Sequence, residues 1–159
     1  MNDEKRVLLF AGIVVGGLAL MGGGAMVYSN YKQRGIRNNN PGNIDYNPKT
    51  NWVGQLGSDG RFIKFDKPES GIRALYRTLM TYRNTHKLTT IAGIINRWAP
   101  PVENNTTSYV NAVSKAVGKA PNAPLDLADY PALIKAIIKH ENGVQPYPDA
   151  TINAGILLA

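Results

Sequence analysis

Between residues 68 and 142, apolar side chains return repeatedly at the spacing of a helix. Ile72, Leu75, Tyr76 and Leu79 stand at i, i+3, i+4 and i+7. Ile91, Ile94, Ile95 and Trp98 repeat that interval, and Val110, Val113 and Val117 continue it. Tyr130, Leu133, Ile134, Ile137 and Ile138 form the last stripe. A period of about 3.6 residues places each set on one helix face, and that face needs another to cover it. The spacing predicts a helix over 68–84, opened by Asp66 and Pro68. A second starts at Thr89 or Thr90 and stops at Pro100 and Pro101. A third starts at Thr106 or Thr107 and stops at Gly118, and a fourth runs from Asp129 and Pro131 to Asn142. A short final helix is expected after Asp149.

Upstream the pattern changes. The stretch 34–50, "RGIRNNNPGNIDYNPKT", is dense in Asn, Gly and Pro and reads as an ordered loop. "NWVGQ" and "RFIKF" flank "LGSDG", and alternation around an Asp-Gly turn predicts a small hairpin. The expected fold class is therefore mainly α with one small β-hairpin.

Residues 7–28 carry no charge. At about 1.5 Å per residue, such a run is long enough to cross a bilayer as a helix. Tyr28 and Tyr31 stand where interfacial aromatics are expected, followed by Lys32, Arg34 and Arg37. A cleaved signal would have a shorter apolar core and a small-residue cleavage site, and none follows. The expectation is a tail and single transmembrane helix over 1–31 (the helix at about 7–28), then one domain over 32–159. The implied location is a membrane crossed once.

The formal net charge is +7. That favours anionic partners such as a cell-wall polymer, anionic lipid or nucleic acid. Nucleic acid is the weakest of these, because the Lys and Arg residues are spread along the chain rather than concentrated. There is no cysteine, which excludes disulfides and thiolate chemistry. The two histidines, His86 and His140, have no metal-ligand spacing, so no metal and no organic cofactor is expected.

The last stripe ends in "IIKHENG". Continuing its period beyond Ile137 and Ile138 lands on Glu141. Burial disfavours the charged carboxylate, and the negative end of the helix dipole disfavours it again. A carboxylic acid that keeps its proton is suited to general acid catalysis of glycosidic cleavage. Periodicity alone leaves open that Glu141 simply reaches solvent past a frayed last turn. Glu69, in the first turn of its helix, sits where the dipole stabilises an anion, and reads as a cap. Glu103 lies on the loop after the diproline, where functional carboxylates are often found. Asp45 and Asp59 fall in turns and read as local caps. Trp52, Trp98, Tyr109 and Tyr147 are candidates to line a sugar groove, with Trp98 better explained as core. Asn40 and Asn43 offer amides for N-acetyl and hydroxyl groups, or for their own loop.

"RGIRNNNPGNI", "GIRAL", "IINRWAPP" and "AIIKHENG" followed by "QPY" resemble phage and prophage virion-associated lytic proteins with a lysozyme-like or lytic transglycosylase-like domain. The resemblance spans about residues 34–155. In lysozyme-like proteins a catalytic glutamate ends a buried helix and is followed by Ser, Asn or Gly, as in "AIIKHENG". "NNNPGNI" and "RFIKFDKPESGIRALYRTLMTY" are similar to two further pieces of glucosaminidase-type members, although here they precede the glutamate, as in a circular permutation. The resemblance implies an α+β lysozyme-like fold and Glu141 as the catalytic residue. It implies peptidoglycan, a lipid membrane and other virion proteins as partners, and with that substrate the loop, amide and aromatic candidates Glu103, Tyr109, Asn40, Asn43, Trp52 and Tyr147 are the expected substrate-binding residues. The alternative from a different class is a non-catalytic structural membrane protein of a virion that retains the fold.

Overall fold

A computed structural model describes residues 33–101 and 105–159. In chain order it has α1 (Arg34–Arg37), β1 (Gln55–Ser58), β2 (Ile63–Phe65), α2 (Pro68–Asn84) and α3 (Ile91–Trp98). There follow α4 (Thr106–Val117), a 3-10 turn (Leu127–Asp129), α5 (Tyr130–Asn142) and α6 (Asp149–Leu157).

The apolar stripes explain how the helices meet. Ile72, Leu75 and Leu79 of α2 pack with Ile91, Ile94, Ile95 and Trp98 of α3 in one buried core. Tyr109, Val110 and Val113 of α4, the α5 stripe and Ile152 of α6 complete it. Burying each such aliphatic side chain contributes about 1.5–3 kcal/mol. A second cluster of Ile63, Phe65 and Ala74, edged by Ile44 and Trp52, seats the hairpin on α2.

Local chemistry sets the helix starts. The Thr90 hydroxyl accepts from the Gly93 N–H and caps α3. The cap of α4 is Asn105 rather than Thr106 or Thr107: its side chain accepts from the Ser108 N–H. The Thr106 hydroxyl is used differently, donating to the Ala99 carbonyl at 2.6 Å.

The hairpin is displaced from the expected strands. Leu56, Gly57 and Ser58 belong to β1, pairing antiparallel with β2 through a bulge between Gln55 and Gly57. The turn is tighter because the Asp59 carboxylate accepts from the backbone N–H groups of Arg61 and Phe62. Asp59 also takes bonds from Arg34 and Asn38, which tie α1 to the turn.

The expected fold class needs correction. Among the described residues no helix is long and apolar enough to cross a membrane. The longest, α2, spans 17 residues and carries Arg73, Arg77 and Arg83; at about 1.5 Å per residue it falls short of a hydrocarbon core. The expected transmembrane segment, 7–28, lies outside the described residues, as does Glu103. A lysozyme-like domain preceded by one transmembrane helix therefore does not stand as the fold class. What stands is a helical domain with one two-stranded hairpin.

The loop 38–44 lies directly on the start of α2. A Cβ at position 71 would run into the Asn39 carbonyl and lie 2.9 Å from Pro41 Cδ. Only glycine lets the two backbones approach this closely. Gly71→Ala is expected to lower stability by about 1–3 kcal/mol, because the clash is with backbone that cannot yield. Thermal unfolding checks this, and an unchanged midpoint contradicts the close approach.

Candidate functional site: a buried carboxylate among neutral donors

The α5 stripe delivers Glu141 to the inner side of the domain. Three other elements meet it there. Trp98, the last residue of α3, donates its indole N–H to Glu141 Oε1 at 3.0 Å. Tyr109, in the first turns of α4, donates its hydroxyl to the same oxygen at 3.0 Å. Asn43, from the Asn-rich loop, places Nδ2 3.4 Å from Oε2 and 3.4 Å from the Glu141 carbonyl. Glu141 is half-buried as a residue, while Tyr109 and Trp98 are only 2 % and 3 % exposed. The carboxylate is thus set deep, and the exposure that remains belongs to the residue as a whole.

All three donors are neutral. Burial pushes the Glu141 carboxyl above the ordinary glutamate value, and the bonds from Trp98, Tyr109 and Asn43 only partly oppose it. The charge of Arg61 acts more weakly still, and Arg61 is bonded to Asp45 at 3.0 Å. Asp59 shows what a cation does instead. Burial pushes that carboxyl up, but Arg34, Asn38 and two backbone N–H groups outweigh it and hold it far below the usual range. Two half-buried carboxylates in one domain are therefore driven in opposite directions.

The partners of Glu141 are themselves supported. The Tyr109 ring stacks on His140 at 3.5 Å between centroids and 13° between planes. Burial, then the charge of Glu141, raises the Tyr109 phenol well above its ordinary value, so it remains a donor. Trp98 meets Tyr82 edge-on at 6.5 Å. Asn43 adopts a left-handed backbone with φ 50°, held by its N–H on the Asn40 carbonyl at 2.9 Å. Asn142, 1 % exposed, donates to the carbonyls of Pro41 and Ile138 at 2.8 and 2.9 Å. It locks the end of α5 to the loop. Gly35 of α1 lies against this junction: a Cβ there would overlap the side-chain oxygens of Asn43 and Asn142 and the Asn40 carbonyl.

The structure distributes the expected site residues unevenly. It brings Asn43 and Tyr109 to Glu141. Tyr109 is a buried donor to the carboxylate rather than an open stacking face. Asn40 is fully buried, and its amide serves the loop, donating to Ile44 and Ile63 and accepting from the Ile44 N–H. Trp52 packs under the hairpin. Tyr147 packs against the main core, and burial and then the charge of Glu69 push its phenol up to about 12. Neither bonds to Glu141. Trp98, which the sequence explains better as core than as groove lining, is instead a donor to the carboxylate. Its signal was present: a buried indole N–H needs an acceptor, and a tryptophan closing an apolar stripe must find one nearby. Among the described residues no group of three or more His, Cys, Asp or Glu side chains could hold a metal ion.

The raised Glu141 value fixes the sign of a stability test. A carboxyl raised in the folded state adds stability that is complete below the ordinary glutamate value, near 4.5. That stability is lost as pH rises through the folded value. Glutamine in its place keeps an acceptor for Trp98 and Tyr109 and cannot ionise. Glu141→Gln is expected to raise the melting temperature relative to the parent chain at pH 8, and the gain should shrink towards pH 4. Paired melts across that range check it, and a gain independent of pH contradicts it.

No family model matches the chain. One curated phage protein does: the chain is 43 % identical over 130 residues to Protein P5 of Pseudoalteromonas phage PM2. The match covers 79 % of this chain and 81 % of the relative. The chain belongs to the family of Protein P5 of Pseudoalteromonas phage PM2.

Proposed function

We propose that this protein is a phage virion component that cleaves peptidoglycan, with Glu141 as its single acid–base group. The observation that carries this reading is one deep carboxyl at a helix end, pushed towards its neutral form by burial among neutral donors. Trp98 and Tyr109 pin Oε1, so Oε2 is the oxygen left to meet a substrate. The neutral acid protonates the glycosidic oxygen between N-acetylmuramic acid and N-acetylglucosamine, and the C1–O bond breaks. The resulting carboxylate takes the proton of the muramic C6 hydroxyl as that oxygen closes on C1. The product is a 1,6-anhydro end, and no water enters.

This route needs one carboxylate, which suits the site. Asp45 and Asp59, on the hairpin side, are tied to Arg61 and Arg34. The net charge of +7 favours encounter with the anionic wall. The family's presence in a phage supports a role at the cell envelope. A second reading, a structural virion protein without activity, is favoured by the near-complete burial of Trp98 and Tyr109, which leaves those rings no face for a sugar.

Incubating the purified full-length chain with peptidoglycan and weighing the fragments by mass spectrometry separates the two. The proposal expects anhydro-muramic ends, and a loss of turnover on the order of a hundredfold or more in Glu141→Gln. Cleavage that survives the substitution overturns the assignment. A folded parent chain with no cleavage favours the structural reading.

A further inference from the structure

We propose that Glu141, Asn43 and Asn142 form a proton-coupled amide relay. When Glu141 takes up a proton on Oε2, the Asn43 amide turns over, accepts from that O–H on Oδ1, and donates from Nδ2 to Asn142 Oδ1. This deepens the reading of Glu141 as the acid–base group by naming the atom that carries its proton and the positioning residue that follows it.

The geometry at the two carboxylate oxygens differs. Oε1 already accepts two hydrogen bonds of 3.0 Å from buried donors. A proton added there would face two N–H or O–H groups, so it belongs on Oε2. Oε2 faces only Asn43 Nδ2 among these bonds, and a proton on Oε2 would point donor at donor. One of the two groups must then move.

Asn43 is the group free to do so. Its Nδ2 is shared between two acceptors at 3.4 Å each, at the long edge for N–H···O bonds. The neighbouring amides are held firmly: Asn40 by bonds of 2.9 and 3.0 Å, Asn142 by bonds of 2.8 and 2.9 Å. The Asn43 backbone is fixed by its own N–H bond to Asn40, so the movement is a half-turn of the side-chain amide. Such a half-turn exchanges oxygen and nitrogen within nearly the same volume.

Two further oxygens show what the turn achieves. Asn43 Oδ1 and Asn142 Oδ1 are both buried and accept no hydrogen bond. They converge on one point above the Gly35 Cα, two acceptors side by side. That arrangement fits the ionised carboxylate, which needs Nδ2 turned towards it. Turning Asn43 over puts a donor beside Asn142 Oδ1 and an acceptor beside the protonated Oε2. Both lone oxygens gain partners in one movement, which an acid–base cycle repeats as the proton leaves and returns. The absence of a Cβ at Gly35 leaves the space the amide occupies.

Charged and titratable groups of the described residues stand around the relay on several elements. Arg61 faces it from the hairpin arm and is bonded to Asp45. Tyr109 faces it from α4, with His140 stacked behind. Arg34 of α1 is bonded to Asp59, and Lys135 of α5 is bonded to Asp149 of α6. His140 is the one whose titration could imitate the signal, so the test separates it.

The side-chain amide resonances of Asn43 in the full-length chain, followed by 15N–1H NMR from pH 3 to pH 9, provide the readout. The relay expects them to shift through a single midpoint in the parent chain and to stay flat in Glu141→Gln. Flat resonances in the parent overturn it, and so does an equal shift in the variant, which would follow His140 instead. The shift is read without substrate, so it judges the relay even if Glu141→Gln retains cleavage and the catalytic reading fails. In turnover, Asn43→Gly keeps a residue that accepts φ 50°. It is expected to lose on the order of tenfold to a hundredfold in kcat with little change in KM. Full kcat in that folded variant also overturns the proposal.

Discussion

A carboxylate held away from water, its hydrogen bonds among the described residues all from neutral donors, is the constraint on which the site depends. Desolvation acts on Glu141 in one direction, and three neutral hydrogen bonds act in the other. Desolvation wins because neutral donors stabilise an anion less than a guanidinium does. Were Arg34 or Arg61 bonded to Glu141, the balance would reverse, as it does at Asp59. The fold keeps these arginines on the hairpin side, occupied by Asp59 and Asp45, with both guanidiniums over the Phe62 ring. Segregating the cations from the acid is as much a part of the site as the donors that touch it.

Four segments far apart in sequence must meet for this to happen, and each is placed by something other than the carboxylate. The apolar stripes bring α3, α4 and α5 together. Asn142 pins the loop to the end of α5, and Asn40 holds the loop's own shape. The glycine at 71 lets that loop settle on α2. The site is therefore carried by a packed core on one side and a hydrogen-bonded amide network on the other. The core supplies depth, and the amides supply orientation.

The helical part of this arrangement could be read in the chain because a period of 3.6 is a property of sequence alone. The same period placed Glu141 on the inner face. Three things could not be read that way. Periodicity says that Trp98 is buried, and so that its N–H needs an acceptor, but not that Glu141 is that acceptor. An Asn-rich loop has more amides than roles, and sequence does not tell Asn40, spent on its own loop, from Asn43, aimed across it. The hairpin register followed the side-chain bonds of Asp59, which no alternation pattern records. The apolar run 7–28 and Glu103 lie outside the described residues, and the described helices include none able to cross a membrane.

Membership in a phage protein family gives the chain a biological setting, and the chemistry proposed for it rests on the carboxyl. Both the stability linkage and the acid–base cycle rest on one quantity, the affinity of Glu141 for a proton in the folded chain. The direct measurement is the titration of its side-chain carboxyl carbon by 13C NMR, assigned against Glu141→Gln. The account predicts a single midpoint above the ordinary glutamate value of 4.5. A midpoint at or below that value would mean that the neutral donors outweigh burial, and would contradict it.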